Sequence, residues 1–418
     1  MDLLDTLGER IKKLRKAQKY TQTELAGDRL TKGMLSLIEN NKAQPSMESL
    51  RFLAQQLGVE VSELLDDGTL AQLRKLYTDI EEDLERRDLL IDPEQVQSLT
   101  VHMIEKIEPY LAQIQGTNYE QIRLREVYFL MNRTMNKAKS LEEYWKFIDQ
   151  YEAIHAYSRM LRCYFYLAFA AMEQRNYQDT LTILKQGEQR IAPYELLIDP
   201  IVRLDLYYNL TVAYSAINDV EMSEHYLQKA LRIAKRKQIF YRMASFYELL
   251  FIHAIANEEQ DKSTQYIHKL KLLADFSEDA SIARATAHCH LHYVNNVKCN
   301  YDQIDQIMND YKRVLANDHY LYDHPKFICE QMYAAFYRKD YKQALVYGES
   351  LKIPGFIHHP IDLAMYYRFY AIRALSYYYL EDFDIAKKEI IYAKNGVEDF
   401  PDTIYKQFVL DAYSEIFL

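Results

Sequence analysis

Apolar residues recur every three or four positions along almost the whole chain, the spacing that predicts amphipathic α-helices. In residues 5–66 this pattern divides into about five short helices joined by short connections. Leu7 and Ile11 lie on the buried side of the first helix. The second helix begins at Thr21, whose hydroxyl can cap the free amides while Glu24 reaches back to complete a Thr-x-x-Glu capping box.

The third predicted helix begins near Thr31 and turns Leu35 and Ile38 towards the core. Its outer face is left with small and polar side chains that can approach the edges of bases: Lys32, Gly33 and Ser36. The helix is therefore a candidate recognition surface.

Proline, serine and glycine delimit the last two short helices. Pro45 ends the preceding segment and Ser46 caps the fourth helix, which ends at Gly58 because glycine readily adopts a left-handed C-cap conformation. Ser62 is predicted to cap the fifth helix. The spacing thus predicts a compact five-helix domain at this end of the chain.

Beyond Gly68 a repeat replaces this pattern. Equivalent turn positions are spaced 40 to 43 residues apart, at Tyr177, Val220, Gln260, Tyr301, Tyr341 and Phe383. Three residues after each of them stands a mostly small side chain that lets two antiparallel helices approach closely: Thr180, Ser223, Ser263, Ile304, Ala344 and Ala386. We expect each repeating unit to be a helical hairpin.

Composition favours helices and hydrophobic cores over sheets. The 418 residues include only 10 glycines and 9 prolines, whereas 49% of the chain is hydrophobic. No apolar run reaches the length of a membrane span, and the first residues lack the basic and apolar regions of a signal peptide, so a cytoplasmic location is expected. The cysteines are scattered without a Cys-x-x-Cys pair, which predicts no disulfides: Cys163, Cys289, Cys299 and Cys329.

Charge is distributed unevenly along the chain. The formal net charge is −10, yet the window from Arg10 to Lys42 holds nine basic and three acidic residues and is therefore +6. A basic stripe within an acidic chain is the pattern expected where a polyanion binds. A solvated helix face is the alternative interpretation.

Three segments occur together and in order in the first 66 residues: Thr21-Gln22-x-Glu24-Leu25-Ala26, then Leu35-Ser36-x-Ile38-Glu39-Asn40-x-Lys42, then Pro45-Ser46 with Leu50-x-x-Leu53-Ala54. Together they resemble the phage-repressor, or Xre-type, helix-turn-helix. The chain departs from many relatives in a turn that is one residue shorter, Gly27-Asp28-Arg29-Leu30, and in Leu37, which stands where a polar reader is common.

The resemblance implies a set of DNA-binding residues. Gln22 would contact the DNA backbone, and the first turns of the third helix would read the major groove through four residues: Thr31, Lys32, Gly33 and Ser36. Asn40 and Lys42 fall where the loop after that helix meets phosphate. A helix-turn-helix that serves only as a protein contact is the alternative.

The clearest repeat unit reads Tyr208-Asn209-Leu210-x-x-Ala213-Tyr214, followed by Asn218-Asp219, Ser223 and Ala230-Leu231. It resembles a tetratricopeptide repeat, although its period exceeds the usual ~34 residues. The resemblance implies hairpins stacked in a right-handed superhelix whose concave wall suits an extended peptide.

An Xre-type helix-turn-helix followed by long tetratricopeptide-like hairpins resembles the peptide-pheromone regulators of Gram-positive bacteria, the Rgg, Rap, NprR, PlcR and PrgX group. In length the chain is most similar to the NprR-like members, and the stretch Pro45-Ser46-Met47-Glu48-Ser49-Leu50 is similar to the PlcR and NprR type. The resemblance implies a short, secreted and re-imported signalling peptide that changes the oligomeric state or the DNA affinity.

Candidate peptide-binding residues follow from the repeat. Asn209 stands where peptide-binding tetratricopeptide domains carry an asparagine that clamps the peptide, since an amide both donates and accepts. By the same alignment Tyr208, Tyr293 and Asn296 face inward, and Arg368 offers a carboxylate fork. The alternative is that Asn209 bridges neighbouring hairpins and that the tyrosines belong to the core.

A cluster of metal-binding residue types lies inside one repeat helix: His288, Cys289, His290, His292 and Cys299. His288 and His292 share a helical face, but the Cys-x-x-Cys half of a structural site is missing, so we expect no metal. Without a Gly-rich phosphate loop or a nucleophile beside its base, neither a cofactor nor enzymatic activity is expected.

We therefore expect an all-α protein with a helix-turn-helix domain over residues 1–68 and a tetratricopeptide-like sensor and oligomerisation domain over residues 69–418. The expected partners are double-stranded operator DNA, a short signalling peptide and a second copy of the chain, with no membrane. Two alternatives stay open: a Rap-like module that binds a response regulator of the sporulation phosphorelay, alone or beside DNA binding, and a scaffold that binds proteins without DNA.

Overall fold

The computed structural model describes residues 6–61, 64, 69–90, 92–136, 140–314 and 325–418. All regular secondary structure within these ranges is helical, which confirms the all-α prediction. None of the described helices is both long enough and apolar enough to cross a membrane. The chain forms two compact units, Met1–Ala156 and Tyr157–Leu418.

The first unit begins with four short helices: α1 (Leu7–Ala17), α2 (Gln22–Ala26), α3 (Lys32–Glu39) and α4 (Met47–Leu57). The side chains of Thr21, Thr31 and Ser46 accept hydrogen bonds from the third residue beyond each of them, so the predicted starts of α2, α3 and α4 are confirmed. The apolar faces share one core that includes Ile11, Leu25, Leu35, Ile38 and Leu53. The helix predicted to begin at Ser62 lies outside the described residues.

Two glycines shape this domain through backbone freedom. Gly27 ends α2 with φ +52°, and a Cβ at this position would lie 2.9 Å from the ring of Phe52. Gly58 ends α4 in the left-handed conformation, as the sequence predicts. The short turn between α2 and α3 therefore depends on a residue without a side chain.

Later in the first unit, the described residues form four longer helices: α5 (Thr69–Leu89), α6 (Pro93–Ile107), α7 (Tyr119–Thr134) and α8 (Glu142–Ala153). Several of their side chains form a second hydrophobic cluster, with Ile80, Met103, Ile107 and Val127 among its members. The predicted domain boundary after Gly68 lies outside the described residues and stays a prediction.

The second unit consists of helices that pack mainly against their neighbours in sequence: α9 (Tyr157–Glu173), α10 (Tyr177–Ile191), α11 (Pro200–Ala216), α12 (Val220–Lys237), α13 (Met243–Ala256), α14 (Gln260–Ser277), α15 (Ala280–Tyr293), α16 (Ile304–Val314), α17 (Pro325–Tyr337), α18 (Tyr341–Gly348), α19 (Pro360–Tyr379), α20 (Phe383–Val397) and α21 (Ile404–Phe417). A π-helical turn, Val294–Lys298, and a 3-10 turn, Tyr301–Gln303, join α15 to α16. This order confirms the predicted helical hairpins, while the handedness of their stacking stays a prediction.

The predicted turn positions coincide with helix starts. A helix begins at Tyr177, Val220, Gln260, Tyr341 and Phe383, and the 3-10 turn begins at Tyr301. The residue three positions later is buried in every repeat, as close packing of the two helices requires: Thr180, Ser223, Ser263, Ile304, Ala344 and Ala386.

Candidate functional site

The candidate DNA-reading surface is the exposed beginning of α3. Thr31 caps the helix, because its hydroxyl accepts a hydrogen bond from the Met34 amide at 3.1 Å. Lys32 and Gly33 are exposed in the first turn, and Ser36 is half-buried one turn later. The four predicted reading residues therefore lie on one short stretch of α3, around a helix N-terminus that favours anions.

A buried ion pair fixes α3 beneath this surface. The Arg15 guanidinium donates to the Glu39 carboxylate, with 2.9 Å between Nη2 and Oε2, and also to the Tyr20 carbonyl at 2.8 Å. The Gln22 amide donates to the same carboxylate at 2.8 Å. Burial raises the pKa of Glu39, but the hydrogen bonds from Arg15 and Gln22 outweigh it and the pKa is lowered overall, so the carboxylate is ionised at neutral pH. Gln22 is thus positioned by α3.

The loop after α3 carries the predicted phosphate contacts. Asn40 ends the helix and donates to the Ser36 carbonyl at 2.7 Å, while Lys42 is exposed. Asn41 holds the loop against α1, because its side-chain oxygen accepts from the Gly8 amide at 3.2 Å and its backbone is left-handed, with φ +57°. Sequence reasoning missed this residue, although asparagine is the non-glycine type that tolerates that conformation best.

Apolar side chains interrupt the polar reading surface. Met34 and Leu37 on α3 are 44% and 43% exposed, and Met47 at the start of α4 is 54% exposed. Such groups can contact the methyl group of thymine in a major groove. The departure at Leu37 therefore changes the chemistry of the surface without burying the residue.

The basic stripe is less uniform than the sequence suggests. Arg15 is buried in its ion pair, and Arg29 donates to Glu48 at 2.8 Å. Five lysines of the stripe are exposed: Lys13, Lys16, Lys19, Lys32 and Lys42. These lysines keep the segment of the first four helices electropositive.

The second unit contains two adjoining cavities. One, of about 220 Å³, and the other, of about 310 Å³, share four lining residues: Tyr208, Val212, His359 and Asp362. Asn209 lines the larger cavity, so the structure brings Asn209 and Tyr208 to one site. Within the described residues the Asn209 side chain makes no hydrogen bond, which argues against its alternative role as a bridge between hairpins.

The loop between α18 and α19 also lines the larger cavity. Phe356 and His358 line it together with residues of α9 and α11, and the Tyr177 hydroxyl donates to the His358 carbonyl at 2.8 Å across 181 residues of sequence. The wall is apolar and aromatic where Phe165 and Phe169 of α9 contribute. This cavity can therefore take an apolar side chain of a ligand.

The smaller cavity is charged. Lys326 Nζ lies 3.8 Å from a Glu248 carboxylate oxygen; burial lowers the pKa of Lys326, but Glu248 and Asp362 outweigh it and the pKa is raised overall. Burial and the neighbouring His359 lower the pKa of His253 to about 4, so this imidazole is neutral at pH 7. With two carboxylates and one ammonium, the lining carries a net negative charge.

The other predicted peptide residues lie elsewhere. Arg368 is 2% exposed and donates to Asn296 at 2.7 Å, so these two residues meet each other and not the cavities. Tyr293 is buried, and its hydroxyl lies 2.9 Å from that of Thr264. The repeat alignment therefore predicts one site for residues that lie apart: Tyr208 and Asn209 line the cavities, whereas Tyr293, Asn296 and Arg368 do not.

The histidine cluster joins a buried polar network. His292 Nδ1 lies 2.7 Å from the Glu330 carboxylate, and Nε2 lies 2.8 Å from the Tyr405 hydroxyl. His288, His292 and Glu330 bring potential ligand atoms within 4.8 Å of one another. Because both nitrogens of His292 are engaged by protein groups, the network is explained as hydrogen bonding in the core, and the absence of a metal stays a prediction.

Comparison with known proteins gives the following matches. Residues 11–64 match the helix-turn-helix family model. The chain is 32% identical over 133 residues to the immunity repressor protein of Bacillus phage phi105, an alignment that covers 27% of this chain and 90% of the repressor. It is 25% identical over 363 residues to the transcriptional activator NprA of Geobacillus stearothermophilus, which covers 85% of this chain and 83% of NprA.

Among solved structures, the chain is similar to PlcR of Bacillus thuringiensis, crystallised in complex with the peptide PapR7 and DNA. The identity is 16%, and the match covers 70% of this chain and 99% of PlcR with a TM-score of 0.37.

Proposed function

Because the chain belongs to the Xre-type helix-turn-helix family of DNA-binding transcriptional regulators, we propose that it binds operator DNA through α2 and α3 and a short signalling peptide through its second unit. Peptide occupancy changes the oligomeric state or the DNA affinity. The two activities are coupled only through the equilibrium between conformations of the protein.

The operator proposal rests on the exposed first turn of α3. This helix N-terminus offers three kinds of contact: the hydroxyl of Thr31, the ammonium of Lys32 and the backbone of Gly33, which no side chain covers. Together they suit phosphate groups and the edges of bases. Gln22 adds a contact from α2, and Ser36 extends the reading surface along α3. Asn40 and Lys42, in the loop after α3, contact the phosphate backbone of the DNA.

The peptide proposal rests on Asn209 and Tyr208 at the adjoining cavities. An asparagine without a protein partner can both donate to and accept from a peptide backbone. The aromatic wall accepts an apolar side chain, whereas Glu248 and Asp362 accept a cationic group of the peptide. This arrangement provides separate places for the backbone, an apolar side chain and a charge.

A second peptide contact is proposed at Tyr293, Asn296 and Arg368. For Arg368 to bind a peptide carboxylate, its bond to Asn296 has to be exchanged for bonds to the ligand. Nε and Nη2 of Arg368 have no hydrogen-bond partner among the described residues, so the guanidinium keeps donors for that exchange.

The test begins with selection of bound sequences from a random duplex pool, followed by mobility-shift assays of the full chain at several salt concentrations. Affinity should fall steeply with salt and change when a peptide fraction of spent culture medium is added. Salt-independent binding without sequence preference would refute the operator role. Unchanged affinity and unchanged molecular mass with every peptide fraction would refute the peptide role alone.

A further inference from the structure

A groove of about 900 Å³ lies on the second unit, away from the two cavities described above. It is lined by the last turns of α12, the loop that follows, one side of α13 and the middle of α14. Tyr247 and Leu250 of α13 line this groove, whereas Glu248 and Leu249 line the charged cavity. The two sites therefore use different sides of the same helix.

Large apolar side chains are exposed in and beside the groove. Phe240 lines it and is 63% exposed, and its ring lies 5.5 Å from the ring of Phe276, which is 71% exposed. Leu272, one turn before Phe276 on α14, is also exposed. Several large apolar side chains gathered at one exposed place mark an interaction surface, whereas single ones are ordinary.

The charge of the groove is positive, unlike that of the chain as a whole. Lys235 and Lys269 are its only charged lining residues, and neither forms an ion pair with a carboxylate in the part of the chain that the structure describes. Lys235 is in the last turn of α12, where a cation also favours the helix end. Lys269 is in the middle of α14, so helix-end electrostatics does not account for it.

Lys269 is held in place by aromatic rings. Its Nζ lies 5.2 Å from the ring centroid of Tyr247 and 5.6 Å from that of Tyr266. The ammonium is thus fixed on the groove wall while it remains available to an anion. The two lysines and the exposed apolar side chains of the groove together favour a ligand that is both acidic and apolar.

We propose that this groove docks an acidic segment of a partner protein that carries aromatic or leucine side chains. Carboxylates of the segment pair with Lys235 and Lys269, its apolar side chains cover Phe240, and the amides of Gln238 and Gln265 bond to its backbone. A single-stranded nucleic acid is disfavoured, because two lysines do not form a continuous basic track and the chain carries a net charge of −10.

The experiment uses the full chain and a fluorescein-labelled peptide of repeated Asp-Phe-Glu-Leu units in fluorescence polarisation. The peptide should bind with an affinity that falls as salt rises. The double change Lys235→Glu and Lys269→Glu should weaken binding by about tenfold or more, as expected for the loss of close charge pairs. Phe240→Ala should weaken it at every salt concentration. Lys388→Glu, an exposed change on α20, is the matched control and should bind like the wild type.

Thermal melts and far-ultraviolet circular dichroism of each variant show whether the fold is kept, and Phe240→Ala gives a second readout if the double charge reversal unfolds the protein. No binding of the acidic peptide, equal binding of a Lys-Phe-Lys-Leu peptide, or equal loss in the control variant would overturn the proposal. Binding of a labelled oligo-thymidine that is lost in the same variants would overturn it in favour of nucleic acid. Because no step involves α3 or Asn209, these outcomes are independent of the operator and peptide proposals.

Discussion

Lys32 and Gln22 contribute to the proposed operator surface in different ways. Lys32 is exposed in the first turn of α3, whereas Gln22 is half-buried and donates to Glu39. Lys32→Ala should therefore weaken operator binding by about 1 to 3 kcal/mol with little effect on the fold. Gln22→Ala should weaken binding and also loosen the Arg15–Glu39 pair, which makes it the less specific probe.

Mobility-shift titrations at several salt concentrations measure the first effect, and hydrogen exchange of the α1–α4 amides measures the second. Lys388→Ala on α20 controls for the loss of one positive charge. Full operator affinity of Lys32→Ala together with an unchanged salt dependence would contradict the assignment of α3.

Asn209 offers a second test at the scale of one side chain. Its amide has no protein partner in the described structure, so Asn209→Ala should leave the melting temperature nearly unchanged while removing bonds to the peptide backbone. We expect a loss of about 1 to 3 kcal/mol in peptide affinity by calorimetric titration, with DNA binding in the absence of peptide preserved. Normal peptide affinity would show that the cavity assignment is mistaken, and a large drop in melting temperature would indicate a structural role.

At the scale of the element, the repeat turns show what a sequence can predict and what it cannot. The period and the small residues place each helix start, because close helix packing restricts side-chain size at one position. The left-handed residue two positions before each start is not predictable from type, since only one of the six is an asparagine: Arg175, Asn218, Glu258, Cys299, Lys339 and Glu381. In five of the six turns the amide after the left-handed residue donates to the carbonyl five positions earlier, as Asp382 does to Tyr377 at 2.9 Å, so the end of the preceding helix holds the residue in a conformation that is strained for any residue with a Cβ.

That strain leads to a prediction at the last of these turns. Glu381 has φ +65° and an exposed side chain, so Glu381→Gly relieves a conformation that costs about 1 to 2 kcal/mol, against about 0.5 to 1 kcal/mol of extra backbone entropy. We expect a net stabilisation of about 0.5 to 1 kcal/mol in chemical unfolding. Lys388→Gly, within α20, should instead destabilise by about 1 kcal/mol. The same sign for both changes would contradict the argument from strain.

For the molecule as a whole, the local periodicity of the sequence predicts the helical architecture but not the location of the candidate peptide-binding site. The capping boxes and the repeat predict where helices begin, because both are set by contacts within a few residues. The location of the candidate binding residues instead depends on pairs far apart in sequence: the Tyr177–His358 bond places the loop that lines the larger cavity, and the Arg368–Asn296 bond holds those two residues away from both cavities. Without these contacts, Arg368 and Asn209 look equally suited to bind a ligand, although only Asn209 reaches the cavities.

Assembly is the last property that follows from this arrangement. The proposed reading surface is one short helix, α3, which spans only a few base pairs. A regulator with a single such surface gains specificity by pairing two copies on half-sites about 34 Å apart. We therefore expect the full chain to be at least a dimer that is held together by its tetratricopeptide-like domain. The dimer should protect two half-sites on a palindromic duplex. A duplex with only one half-site should bind far more weakly. Analytical ultracentrifugation at micromolar concentration, with and without duplex, measures the stoichiometry directly. A monomer under both conditions, with equal affinity for one and two half-sites, would rule out this mode of binding.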